Sequence, residues 1–282
     1  MSAGVRAYWQ QVSERAARHA RACLLDVVPV ELGSATADYA VLRLVGLDGE
    51  TIECRCAIPH GVQSAPVVLA YHDATRPVRG WHHLTRFVAL GYAVVAMQNR
   101  AGVEGVLVAE PAAVGDGWGV MYHLPGEALP PTGRTISNKT CQTLEATYSD
   151  ALVVAHALSR IDRIDAHKVL TFGDGLGGAL ALLVASQVPV CAASAFAPLP
   201  SALDESCARV DVAQIASGLS CPVLMGMGLL DRQATPEAIS AIIDGLLQPR
   251  VLRYPRYAHE RVNAFEDELM AFLIASRPTG HN

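Results

Sequence analysis

The apolar positions along the chain change period several times, and those changes mark its elements. Val5, Tyr8, Trp9, Val12, Ala16 and Ala20 recur at helical spacing and predict a helix within residues 1–22. Two strand-like runs follow at residues 38–45 and 50–58. Gly46-Leu47-Asp48-Gly49 separates them, so they read as a β-hairpin. Cys54 and Cys56 alternate within the second run and would share one face. Residues 65–71 form a short continuous apolar run, the mark of a strand buried on both faces. A helical pattern at 81–90 ends at Gly91, and 92–97 is the next buried strand. Further on come a helix at 142–160, a strand at 168–172, a helix at 176–187, and strands at 190–196 and 222–227. Thr235-Pro236-Glu237 supplies a cap and a first-turn proline for a helix over 235–247. A strand at 251–254 and a helix at 264–275 complete the pattern. Buried strands alternating with amphipathic helices predict the α/β class: a mainly parallel twisted sheet with helices on both faces.

Residues 99–140 interrupt this rhythm. They are rich in Gly and Pro, include Pro130-Pro131, and show no clear period, so they read as a lid-like excursion or pocket wall. The remaining pattern is continuous and free of repeats, which predicts one domain over residues 1–282. Just over half of the residues are hydrophobic, enough for a large buried core. The net charge of −5, without basic clusters, argues against nucleic acid or a membrane surface as partner. Arg6, Arg15, Arg18 and Arg21 lie near the start without an apolar run, so no secretory signal is expected. The seven cysteines are odd in number and scattered, which argues against a disulfide framework and points to a reducing cytoplasm.

The chemistry concentrates in the second half. Val169-Leu170-Thr171-Phe172-Gly173-Asp174-Gly175-Leu176-Gly177-Gly178 reads as strand, tight turn, helix. It has the form of the G-x-S-x-G nucleophile elbow with Gly175 in the serine position. Gly173, Gly175 and Gly178 also satisfy G-x-G-x-x-G, but the next strand ends Ser194-Ala195-Phe196-Ala197 without the acidic ribose partner, so no dinucleotide cofactor is expected. Asp231 stands just beyond a strand, and His259 in the loop after the last one, in the order acid then histidine. An acid holding one ring nitrogen of His259 would leave the other to take a proton.

These residues resemble the acetyl xylan esterase and cephalosporin C deacetylase family of α/β-hydrolases. The likeness lies in the elbow at 173–178, the acid segment at 223–231 with Thr235-Pro236, and the His259-Glu260 pair. Arg100-Ala101-Gly102 keeps only part of the family's Arg-Gly-Gln, and the segment at 198–219 is shortened, which puts the family's assembly and pocket rim in question. The resemblance implies an oxyanion hole made of the backbone N–H groups of Leu176 and Ala74. It also implies an O-acetylated small-molecule substrate and a homo-oligomer.

Without a serine, no acyl-serine intermediate can form. Three readings follow, and the first explains most of these residues. His259 and Asp231 can act as a general base, removing a proton beta to an acetoxy oxygen so that acetate leaves and an alkene forms. This lyase reaction resembles that of the acetate-eliminating enzymes of tetronate natural-product biosynthesis. The second reading is an acetyl-ester deacetylase inactivated at Gly175. The third is a non-catalytic ligand-binding protein. His72, Asp73, Asp174 and Tyr122 are candidate substrate contacts. Asp174 could replace the serine but comes one position early, so a structural role is preferred. His72, His82, His83 and His123 fit no compact metal site. Arg100 reads as a loop brace, and Tyr148 and Glu145 as helix-stabilising residues.

Overall fold

The computed structural model describes residues 3–74, 80–100, 138–199 and 205–277. Most of the interrupted segment, residues 101–137 with Tyr122 and His123, lies outside them. The strands are β1 Leu24–Val30, β2 Ala37–Val45, β3 Thr51–Pro59, β4 Ala65–Tyr71, β5 Ala93–Met97, β6 Ile164–Asp174, β7 Ala192–Phe196, β8 Val223–Gly228 and β9 Pro249–Tyr254. The helices are α1 Ala3–His19, α2 Trp81–Ala89, α3 Asn138–Ala157, α4 Leu176–Gln187, α5 Val212–Ala216, α6 Pro236–Asp244 and α7 Asn263–Ala275.

The strands form one sheet in the order β1-β2-β3-β5-β4-β6-β7-β8-β9. From β5 to β9 every pairing is parallel, while β1, β2 and β3 join antiparallel at one edge. This is the predicted fold class, a mostly parallel sheet with helices on both sides. Every residue of β5, β7 and β8 is buried, as parallel strands covered on both faces require. In β2, by contrast, exposed residues interrupt the buried ones, and β3 carries Cys54 and Cys56 buried on one face as its alternation predicts.

Trp9 anchors α1 against the body of the molecule. It is fully buried, lies 5.5 Å from the Tyr148 ring of α3, and its indole donates to the Arg209 carbonyl at 2.6 Å. Tyr148 donates to the Val210 carbonyl at 3.0 Å, and Tyr8 donates to Glu145 at 2.6 Å. Glu145 and Tyr148 therefore tie α3 to its neighbours. The same region corrects the cysteine expectation: Cys141 of α3 and Cys207 in the 3₁₀ turn Glu205–Val210 form a disulfide. The partners are 66 residues apart, so their meeting is a product of packing that local spacing does not reveal.

Candidate active site

Parallel pairing brings the carboxyl ends of β4, β6, β8 and β9 to one side of the sheet, where ligands of open α/β sheets collect. Tyr71 pairs with Gly173, Asp174 with Phe196, and Gly228 with Tyr254. The residues that follow each strand therefore rise together: 72–74 after β4, 175–176 after β6, Asp231 after β8 and His259 after β9.

Gly175 makes the turn from β6 into α4 at φ 55° and ψ −123°. Side chains other than hydrogen are strained there, and a nucleophile elbow normally stores that strain. Its N–H donates to the Phe196 carbonyl at 2.9 Å, and its carbonyl accepts from Leu199 N–H at 3.0 Å, so β7 and its exit loop fix the turn.

Asp231 is buried and divides its two oxygens. Oδ1 accepts from the N–H groups of Gln233 and Ala234 at 2.8 and 2.9 Å, and Oδ2 meets His259 Nδ1 at 2.7 Å. The first pair holds the carboxylate still and the second aims the imidazole. Gly228 makes room for the histidine loop: a Cβ there would fall 2.4 Å from the carbonyl oxygens of both Tyr257 and Ala258.

The other face of the imidazole meets a second carboxylate. Asp73 Oδ2 lies 3.5 Å from His259 Nε2. Asp73 Oδ1 accepts from Ala74 N–H at 2.8 Å and from Leu176 N–H at 3.3 Å. These are the two backbone donors expected to form an oxyanion hole, and the Asp73 carboxylate fills it. A Cβ on Gly175 would stand 2.1 Å from Asp73 Oδ1. A side chain at 175 and this position of Asp73 exclude one another. Burial alone would push the His259 pKa down, but hydrogen bonds and charge from Asp231 and Asp73 overcome it and raise the pKa to about 9. That direction favours the protonated imidazole between Asp231 and Asp73. The expected ready proton acceptor is thus occupied until one carboxylate loses its charge.

The surroundings separate contacts from braces. His72 Nδ1 contacts its neighbour's carbonyl at 2.9 Å, and Asn99 at the end of β5 donates to the His72 carbonyl at 3.1 Å. Those bonds hold the loop that carries His72. His72 itself lines a small cleft with His83, Leu84, Phe87, Phe172 and Asp174. Arg100 donates to Asp150 at 2.5 and 2.8 Å and to Asp48 at 2.6 and 3.0 Å, bracing the β2–β3 hairpin against α3 as its loop position suggests.

The profile of the acetyl xylan esterase (AXE1) family matches residues 3–204. The chain belongs to the acetyl xylan esterase family. Among solved structures, acetyl xylan esterase from Paenibacillus sp. R4 is 18% identical with a TM-score of 0.76, covering 98% of this chain and 95% of that one. Acetyl xylan esterase 1 from Thermoanaerobacterium sp. JW/SL YS485 is 20% identical with a TM-score of 0.73, covering 95% and 93%. Est1E from Butyrivibrio proteoclasticus is 13% identical with a TM-score of 0.57, covering 86% and 99%. At these identities the structural likeness establishes the fold.

Within that family frame, His259, Asp231, Gly175, Leu176 and Ala74 come together as the sequence suggested. Asp73 exceeds the part given to it. The sequence offered one signal for this: a carboxylate immediately before the expected donor Ala74, in a chain with glycine at position 175. Asp174 is buried beside the cleft, one residue ahead of the turn.

Proposed function

We infer that this protein releases acetate from an O-acetylated small molecule as a carboxylic ester hydrolase that lacks a serine nucleophile. The observation that carries the reading is the His259–Asp231 pair, 2.7 Å apart, beside the Asp73 carboxylate in an acetyl xylan esterase family chain. With Gly175 at the elbow, water or a protein carboxylate must take the place of the serine oxygen.

Elimination is a second reading, favoured by that same missing hydroxyl. The carboxylate–histidine group would then take a proton from the carbon beta to the acetoxy oxygen, and acetate and an alkene would form. The enzymes of tetronate biosynthesis provide the analogy. Family membership supports acetyl-ester chemistry and weighs toward hydrolysis.

One assay separates the readings. The purified protein is given para-nitrophenyl acetate and a compound with an acetoxymethyl group on an acidic carbon. Acetate with an alcohol is the expected result; acetate with an alkene would favour elimination. His259→Ala should lower acetate release at least about 100-fold. Acetate release that persists unchanged in this variant, or no release from either compound, would overturn the proposal.

A further inference from the structure

Asp73 occupies the place of the absent nucleophile. Its Oδ1 is cradled by Ala74 N–H at 2.8 Å and Leu176 N–H at 3.3 Å, and its Oδ2 faces His259 Nε2 at 3.5 Å. Gly175 is the residue that leaves room for it. We propose that Asp73 is the nucleophile of this site, attacking small molecules whose electrophilic saturated carbon carries an oxygen leaving group, such as an activated alkyl acetate or an epoxide. This rests on the reading that the site processes a small molecule, and it changes the bond broken from acyl–oxygen to alkyl–oxygen.

The occupied cradle selects that bond. Attack on an acetyl carbonyl would place the developing oxyanion on the substrate, yet both backbone donors already serve Asp73 Oδ1. Attack at a saturated carbon makes no oxyanion there. Asp73 Oδ2 bonds to the carbon while the carbon–oxygen bond of the leaving group breaks. The leaving oxygen keeps the electron pair and takes the Nε2 proton of His259. Asp73 is now a neutral ester, so one of the two charges that held the imidazole protonated is gone. His259, steadied by Asp231, becomes a base beside Asp73 Cγ.

In the second step His259 Nε2 takes a proton from water as the water oxygen bonds to Asp73 Cγ. The electron pair moves to Oδ1, which is already in the cradle and now carries the oxyanion. Collapse breaks the bond from Cγ to the alkylated oxygen, and the departing alkoxide recovers the proton from His259. The product alcohol leaves with an original oxygen of Asp73; the acid left on Asp73 keeps the oxygen of water and returns its proton to His259, which restores the starting pair.

The experiment uses the full chain in excess over a nitrophenyl glycidyl ether in heavy-oxygen water. In a single turnover the heavy oxygen should appear in the Asp73 peptide and be absent from the diol. His259→Gln should accumulate a covalent adduct on Asp73, because water attack is lost. Asp73→Asn should lower diol formation at least about 100-fold, with a melting temperature near that of the parent as the check on folding. Heavy oxygen in the first-turnover diol, no adduct on Asp73 in His259→Gln, or undiminished turnover in Asp73→Asn would overturn the proposal. Diol formation and acetate release from para-nitrophenyl acetate that both persist in Asp73→Asn would remove this proposal and leave the ester hydrolase standing. Labelling of Asp73 without acetate release from any ester would do the reverse.

Discussion

The groups that raise the His259 pKa, Asp231 and Asp73, both lie far from it in sequence and are brought to it by the fold. Asp231 takes Nδ1, Asp73 faces Nε2, and together they hold the imidazole charged to about pH 9 against the opposing effect of burial. An unfolded histidine titrates near about 6.5. The folded value is the higher one, so this cation contributes stability in full below about 6.5, and the contribution fades as pH rises through about 9. The melting-temperature gap between the protein and His259→Gln should therefore be widest in mild acid and shrink across that window. In Asp73→Asn one carboxylate is gone, and the histidine should titrate at lower pH, which the imidazole signals in NMR would report. A gap that does not vary with pH would mean that the two carboxylates do not share this proton. The sequence named Asp231 and His259 by their order, but it did not disclose Asp73 as the third member. No spacing rule links position 73 to position 175; only the Tyr71–Gly173 pairing of β4 with β6 brings their loops together.

At the scale of elements, the sequence located the buried ones well and the exposed ones poorly. Helix α4 runs Leu176–Gln187 as its apolar pattern indicates, and Thr235 caps α6 by accepting from Ala238 N–H at 3.3 Å. Strand β1 escaped notice because Asp26 and Pro29 break its alternation and five of its seven residues are exposed. Proline is tolerated there since β1 is an edge strand. Strand β6 begins at Ile164, four residues before its apolar run, because its outer end is only partly buried. The junction of β8 with the loop after β9 matters most for the site. Gly228→Ala would push a methyl group into the carbonyls of Tyr257 and Ala258. The expected outcome is a fall of at least about tenfold in acetate release, with far-UV circular dichroism retained, because the displaced loop would carry His259 away from Asp231. Full activity in that variant would show that the loop adjusts without moving its histidine.

At the scale of the whole molecule, α1, α3 and the 3₁₀ turn at Glu205–Val210 form a packed corner held by Trp9, Tyr148 and the Cys141–Cys207 disulfide. A cross-link over 66 residues restricts the unfolded chain. Cys141→Ser should lower the unfolding free energy by about 2–4 kcal/mol, read from the urea midpoint under oxidising conditions. An unchanged midpoint would show that the bond adds nothing beyond the packing around it. The other five cysteines are unbridged, so there is no framework, and counting could not disclose the single bridge. The sequence alone determined the α/β class, the strand–turn–helix at Gly175, and the order of Asp231 and His259 after their strands, since these follow from local period and motif. Tertiary structure alone decided the disulfide and the seat of Asp73 in the backbone cradle. Both join groups far apart in sequence, and such meetings depend on the register and packing of the sheet, which no local pattern encodes.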